Sequence, residues 1–206
     1  MIRSAVRRLA TDDTATASGV LAAAFQEDAM MVHLLPDPAR RRRVLPVYFA
    51  AVLRQASRRG QLYVATHDDT VAAVAIAMPA GTYPIPVLPQ LREWRAIAAT
   101  GALGTLRNFR DLPPIDRARP AQPFHYLMYL GTRPDLQAHG HGAALVEQVL
   151  ADADAVGHPS YLVTMRHANL AFYARFGLAV RTELRLGRHG PAAWSLIRPS
   201  PAQTTQ

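Results

Sequence analysis

One segment of the chain combines a turn rich in small residues with the patterns of a strand before it and a helix after it. The segment runs from Leu130 to Leu145 and reads LGTRPDLQAHGHGAAL, with Gly140 and Gly142 at the turn. The first turn of a helix presents N–H groups without partners and the positive end of the helix dipole. Glycines let an anion approach the backbone closely. The segment indicates a phosphate-binding loop, although the same glycines could serve only to make a tight turn.

Several better-known chemistries are excluded by residue type and spacing. The glycine spacing is not that of the dinucleotide fingerprint, and a P-loop needs a lysine, which the chain lacks. Without cysteine there is no disulfide, thiolate metal site or cysteine nucleophile. His139 and His141 straddle the glycine loop with no carboxylate partner nearby, so we predict no metal site.

The elements that must position this loop follow from hydrophobic periodicity. Apolar residues at helical spacing predict four main helices, which are a helix that starts at 11–14 and ends at 26, then 39–58, 142–156 and 169–176. An alternating pattern predicts a strand over 4–9. Runs typical of strands predict six more, over 61–66, 71–78, 124–132, 161–165, 178–186 and 192–198. This order predicts a single α/β domain over residues 1–198, followed by a disordered tail over 199–206.

Residues 79–123 interrupt this regular pattern with many prolines and glycines. Helices are predicted near 88–100 and 102–110, and their apolar residues need burial. Long irregular stretches often form lids or binding loops. We therefore expect an irregular helical insertion that acts as a lid.

Composition limits the class of protein. Of 206 residues, 50% are hydrophobic and 18% charged, which excludes a disordered chain. The net charge of +8 comes entirely from arginines and indicates either a surface that attracts polyanions or the coding bias of a GC-rich genome. The run Arg40–Arg43 is predicted to be a solvated helix face. The apolar run Val71–Met78 is too short to span a bilayer and the N-terminus lacks a signal-peptide core, so we expect a cytoplasmic protein.

Two motifs in this order resemble those of the GNAT N-acetyltransferase superfamily. The first is QAHGHG at 137–142, directly after a strand that ends in Leu-Gly-Thr at 130–132. The second is NLAFYARFGL at 169–178, which matches the family's helix with asparagine, tyrosine and a glycine. The resemblance implies an α/β GNAT fold with a mixed, mostly antiparallel central sheet of about seven strands, splayed at its centre and flanked by helices.

The N-terminal half resembles one branch of that superfamily. The segments at 22–25, 33–38 and 74–79 are similar to those of the actinobacterial branch that contains puromycin N-acetyltransferase. With them, the resemblance covers about residues 5–198. Val163 departs from it, because that branch often carries a glutamate there, so any role of the carboxylate towards the amine is absent.

The resemblance implies acetyl-CoA as the acyl donor and assigns its contacts by position. Backbone groups of Leu130 and Thr132 would pair with the pantetheine arm like an extra strand, and the N–H groups of 137–143 would hold the pyrophosphate. Asn169 would touch the pantetheine, and Tyr173 would lie near the sulfur. The expected cofactor contacts are Leu130, Gly131, Thr132, Gln137, Ala138, His139, Gly140, His141, Gly142, Ala143, Asn169 and Tyr173.

Three loop positions depart from the family's usual residues, and one of them is His139, which stands where a basic residue is common. Ala138 stands where a glycine is common, and His141 replaces an aliphatic residue. A charged histidine at a helix start would oppose the dipole unless an anion offsets it.

Acetyl transfer from a thioester requires a neutral amine, a polarised carbonyl and a stabilised thiolate. A backbone N–H near 130–132 could polarise the carbonyl. Tyr173 is expected to protonate the thiolate, since a tyrosine of ordinary pKa, about 10, is a proton donor at neutral pH. His125, Glu27, Asp28, His33 or a water chain could serve as the base.

Acceptor contacts are expected from the region after the first helix and from the insertion. Glu27 and Asp28 could bind a cationic amine or be ordinary loop charges. The other aromatic, sulfur and imidazole side chains could line an acceptor pocket or simply pack in the core. The expected substrate contacts are Asp28, Met30, Met31, His33, Tyr83 and Trp94.

The sequence therefore predicts an N-acetyltransferase that moves an acetyl group to a primary amine of a small molecule, such as an aminonucleoside, antibiotic or other metabolite. Alternatives are transfer to a peptide or protein amine, use of a longer acyl-CoA, or a non-catalytic acyl-CoA-binding module. The hypothesis of a nucleic-acid binder rests on charge alone. We expect neither nucleic acid nor a membrane as a partner. We expect a monomer or homodimer.

Overall fold

A single mixed sheet organises the protein. The computed structural model describes residues 5–83, 113–187 and 190–201, and these contain seven strands in the order β1-β2-β3-β4-β5-β7-β6. Neighbouring strands are antiparallel except for β4 and β5, which are parallel. The strands are β1 Ala5–Arg8, β2 Gln61–His67, β3 Thr70–Met78, β4 His125–Thr132, β5 Ser160–Thr164, β6 Ala179–Arg185 and β7 Ala192–Arg198.

Six α-helices lie within the described ranges. They are α1 Thr14–Ala24, α2 Ala29–Leu34, α3 Pro38–Ala56, α4 Pro113–Arg117, α5 His141–Ala155 and α6 Asn169–Ala174. Side chains alternate along β3, so Val74 and Ile76 join the core under α1 and α3, whereas Ala73 and Ala75 join the core under α5. The helices therefore cover both faces of the sheet.

The sheet opens between β4 and β5. The parallel pairing joins residues 125–127 to 160–162 and goes no further, although β4 continues to Thr132. On its other edge β4 carries a bulge, because Ile76 faces Tyr129 while the next residue, Ala77, faces Leu127. A bulge bends its strand and increases the local twist. The carboxyl ends of β4 and β5 thus diverge, and a cleft forms between them.

The predicted α/β fold, with its splayed sheet of seven strands flanked by helices, is confirmed. The predictions missed the short helices α2 and α4, which span six and five residues. The predicted helices near 88–100 and 102–110 lie outside the described residues. Ser200 is buried, so the chain stays packed beyond the start predicted for the tail, and residues 202–206 are also outside the described ranges.

Candidate active site

The cleft between β4 and β5 has a volume of about 770 Å³ and receives residues from three segments of the chain. One wall is the end of α1 and the loop into α2, and another is the end of β4 with the turn into α5. The third wall is the turn after β5 together with α6. The residues that line the whole cleft are Ala24, Phe25, Glu27, Asp28, Ala29, Leu130, Gly131, Thr132, Leu136, Gln137, Ala138, Gly140, His141, Gly142, Ala143, Met165, Arg166, Asn169, Phe172, Tyr173 and Arg175.

The glycine loop opens α5 with its N–H groups towards the cleft. Gly140 caps the helix with φ of +89°, a left-handed conformation that glycine adopts without strain. The first helical bond runs from the Ala144 N–H to the Gly140 carbonyl at 3.0 Å, so the N–H groups of 141–143 have no acceptor within the helix. At Gly142 a Cβ would lie 3.3 Å from Thr132 Oγ1 and narrow the cradle. This geometry fits a phosphate group.

Two residues of the loop behave differently from the glycines. Ala138 holds φ of +64°, which strains a residue with a Cβ, at the position where the resemblance leads one to expect glycine. His141 is buried, and burial, followed by the charges of His67 and His139, lowers its pKa. Its imidazole is therefore held neutral, which removes the conflict with the helix dipole.

The end of β4 is pressed against α1. A Cβ at Gly131 would come within 3.0 Å of Ala24 Cβ and Leu21 Cδ2, so only glycine permits this approach. The contact brings the end of α1 and the loop behind it to the edge of the cleft, opposite the glycine loop.

Helix α6 presents Asn169 and Tyr173 on one face, four residues apart. Asn169 Nδ2 donates to Thr164 Oγ1 at 3.2 Å, which ties the helix to the end of β5. Tyr173 is 7% exposed and lines the cleft, and its burial raises its pKa. The phenol therefore keeps its proton at neutral pH and can donate it.

A buried arginine holds the loop between α1 and α2. Arg41 is 2% exposed, so the prediction that the whole arginine run is solvated is wrong for this residue. Its Nε donates to the Gln26 carbonyl, and its Nη1 donates to the Leu35 and Pro36 carbonyls at 2.8 and 3.2 Å. Since these carbonyls lie at both ends of α2, the guanidinium fixes the position of that helix.

Glu27 and Asp28 both line the cleft, but their carboxylates differ. Glu27 is 80% exposed and lies 3.3 Å from Arg41 Nη2, so it already has a cationic partner. Asp28 caps α2, and its Oδ1 accepts from the N–H groups of Met30 and Met31 at 3.0 and 3.2 Å. Burial raises its pKa, against the lowering effect of those two bonds and of the Arg166 charge. Asp28 is thus the better placed of the two to take a proton.

His125 was a candidate base, but it does not line the cleft. It lies at the start of β4, five residues and about 16 Å along the strand from Leu130. Its Nε2 is 3.0 Å from Gln61 Oε1, burial lowers its pKa, and the charge of Asp152 on α5 acts on it. The side chain therefore faces β2 and α5 rather than the cleft.

The structure brings only some of the other candidates together. Met30 and Met31 pack in or against the core under α3, and His33 lies in the last turn of α2; none of the three lines the cleft. His139 also points elsewhere, with Nδ1 2.8 Å from the Gln137 carbonyl oxygen.

Tyr83 borders a separate cavity of about 410 Å³ and bonds Asp116 Oδ1 at 3.2 Å. Most of the predicted lid, including Trp94, lies outside the described residues. Whether residues 79–123 reach the cleft therefore stays a prediction.

Several residues that line the cleft were not among the predicted site residues, including Phe25, Arg166, Phe172 and Arg175. The two arginines lie just before and just after the helix that carries Asn169 and Tyr173. That placement was a usable signal, because a helix at the edge of a cleft brings its flanking residues there.

Within the described residues, no group of three or more histidine, cysteine, aspartate or glutamate side chains could hold a metal ion. No helix there has the length and apolarity to cross a membrane.

Comparison with known proteins supports the predicted family and fold. Residues 28–178 match the model of the acetyltransferase (GNAT) family. A histone acetyltransferase HPA2 and related acetyltransferase from Corynebacterium glutamicum is similar in structure, with a TM-score of 0.76 and 19% identity over 97% of both chains.

Two more distant structures share the fold. A ribosomal-protein-S18-alanine N-acetyltransferase from Escherichia coli has a TM-score of 0.57 and 16% identity over 96% of this chain and 94% of its own. A polyamine N-acetyltransferase from Drosophila melanogaster has the same TM-score and identity over 96% of this chain and 100% of its own. With a family model that matches most of its length, the chain belongs to the GNAT acetyltransferase family.

Proposed function

We propose that this protein transfers the acetyl group of acetyl-CoA to a primary amine of a small molecule. The observation that carries the proposal is the continuity of one cleft, which runs from the phosphate-binding turn of α5 past Tyr173 to Asp28. These are the groups required to hold the donor, to protonate its sulfur and to deprotonate an amine.

The residues present fit acetyl-CoA. The N–H groups of 141–143 at the start of α5 would hold the pyrophosphate. The pantetheine would lie along the free edge of β4 at Leu130 and Thr132, where β5 has diverged, beside Asn169. That edge offers unpaired backbone groups in the same way as any strand edge.

The chemical step needs three groups at the inner end of this path. Asp28 would take a proton from the ammonium of the acceptor, whose nitrogen then bonds to the thioester carbon. A backbone N–H of β4 would stabilise the charge on the carbonyl oxygen. As the carbon–sulfur bond breaks, Tyr173 would give its proton to the thiolate, and the nitrogen would lose its second proton to solvent as the amide forms. Solvent would then restore the proton of Tyr173 and take up the proton held by Asp28.

A panel of amines tests the proposal. With acetyl-CoA, release of free CoA thiol should require an amine and should fall strongly in Asp28→Asn. The asparagine keeps an oxygen that can cap α2, so helix stability is retained while the base is lost. The panel includes a small peptide with a free N-terminus, because transfer to a peptide is the competing function. Binding of acetyl-CoA without thiol release from any amine would favour a non-catalytic binding module.

A further inference from the structure

The cleft contains charged side chains that the proposed reaction does not use, and one of them is Arg166. Arg166 follows β5 and lines the cleft together with Asp28, which comes from the wall formed by α1 and α2. Its backbone N–H donates to Thr164 Oγ1 at 3.3 Å, which anchors the turn. Its side chain is exposed, and no acceptor within the described ranges bonds the guanidinium. An arginine in a binding cleft without a protein partner is available to a ligand anion.

Asp28 and Arg166 are close enough to act on each other. The charge of Arg166 is one of the effects that lower the pKa of the Asp28 carboxyl. The two groups nevertheless do not form an ion pair, since Asp28 Oδ1 accepts from Met30 and Met31, and no donor within the described ranges reaches Oδ2. The Asp28 carboxylate and the Arg166 guanidinium thus line the same cleft, and each can still form hydrogen bonds with a ligand.

The other cleft arginine occupies a different place. Arg175 follows the C-terminal end of α6, and its guanidinium lies 5.3 Å from the ring centroid of Phe172 and 5.7 Å from that of Phe176. Arg166 precedes the N-terminal end of the same helix, whose six residues rise about 9 Å. Of the two arginines, Arg166 is the one whose charge acts on the pKa of the Asp28 carboxyl, so it is the arginine on the side of Asp28.

We infer that the acceptor is a zwitterion, an amino acid or similar amine that carries its own carboxylate, with the ammonium on Asp28 and the carboxylate on Arg166. This inference rests on the proposed function and narrows its substrate class. Guanidinium and carboxylate match in geometry and form paired, charge-assisted hydrogen bonds. The carboxylate also offsets the ammonium charge, so an acceptor without net charge meets one carboxylate and one guanidinium, those of Asp28 and Arg166.

Matched acceptors separate the carboxylate from the amine. Alanine, phenylalanine and lysine are each compared with their amides, which keep the amine and the side chain but lose the carboxylate charge. Binding to the CoA-loaded protein is measured by calorimetry, and acetylation is measured by thiol release. Hydrogen bonds to a charged group contribute enough to favour each amino acid over its amide about 10- to 100-fold in the wild type.

Arg166→Gln should abolish this preference and leave the affinity for acetyl-CoA unchanged. Arg42→Gln, which removes an exposed arginine of α3 outside the cleft, is the control for the loss of one positive charge and should keep the preference.

Three results would overturn the inference. They are equal binding of acids and amides to the wild type, no binding of either, and a loss of acetyl-CoA affinity in Arg166→Gln as large as the loss of amino-acid affinity. The last would mean that Arg166 holds a phosphate of the donor. Binding of amino acids that depends on Arg166, without acetyl transfer, would uphold the inference while refuting the proposed reaction.

Discussion

Replacing Arg41 by methionine removes the buried guanidinium that joins the two ends of α2. The side chain bonds the Gln26, Leu35 and Pro36 carbonyls and the Glu27 carboxylate. Methionine keeps much of the apolar stem, so the change isolates the polar head. These bonds fix α2 and the loop before it, which carries Asp28, the residue proposed to bind the amine. The variant should therefore lose stability and acceptor binding together.

The size of the loss follows from the bonds. The pair with Glu27 contributes about 0–1 kcal/mol, because the glutamate side chain is 80% exposed. The three carbonyls weigh more, since hydrogen bonds to a charged group contribute about 1.5–3 kcal/mol each and carbonyls left unpaired are costly. The contributions of bonds within one network are not additive. We therefore expect a loss of about 3–5 kcal/mol in the free energy of unfolding.

Urea unfolding measures this loss, and steady-state kinetics measure its effect on the site. We expect Arg41→Met to raise KM for the amine while the Kd of acetyl-CoA is unchanged, and Arg41→Lys to lie between it and the wild type. Arg198→Met is the control, because Arg198 pairs with Asp154 at 2.8 and 2.9 Å outside the cleft. It should lose stability without any change in KM. A loss below about 1 kcal/mol in Arg41→Met, or equal weakening of donor and acceptor, would refute the reasoning.

Three further predictions concern single groups of the site. Tyr173→Phe should fold and bind acetyl-CoA normally while kcat falls about 10²- to 10⁴-fold, and an unchanged kcat with chemistry rate-limiting would return Tyr173 to a packing role. Ala138→Gly should raise the free energy of unfolding by about 1 kcal/mol, because glycine adopts a φ of +64° without strain. A free energy of unfolding below that of the wild type would mean that the flexibility gained by the unfolded chain outweighs the strain relieved. The raised pKa of Asp28 should place the acidic limb of kcat/KM above the ordinary aspartate value of about 3.9, so activity is lost as pH falls through that higher pKa. A limb that persists in Asp28→Asn would assign it to another group.

The fold was predictable because local signals agreed with the tertiary structure. The apolar run Val71–Met78, bounded by turn residues, and the turn around Gly140 each indicate one structure, and the order of the elements leaves few topologies. The bulge and the splay beside β4 arise from pairing between strands distant in sequence, which no local pattern records. The short helix α2 was missed because its six residues carry less than two turns of periodicity.

The site was predictable where a motif carried it and unpredictable where burial decided it. The glycine loop, Asn169 and Tyr173 line the cleft as expected. The choice between Glu27 and Asp28 depended on which carboxylate meets Arg41, and the interior position of Arg41 is invisible within a run of four arginines. His125 alternates like a residue that faces the cleft, but it stands at the far end of its strand.

Single-turnover acetylation tests the central claim most directly. The protein in excess over acetyl-CoA carrying a labelled acetyl group is mixed with an active amine, and free thiol and acetylated amine are both counted. We expect one thiol and one acetylated amine per acetyl-CoA consumed, and no thiol without amine. Gly142→Asp should give no product, because its carboxylate would occupy the phosphate cradle. Thiol released at the same rate without amine, or full transfer by Gly142→Asp, would contradict the central claim.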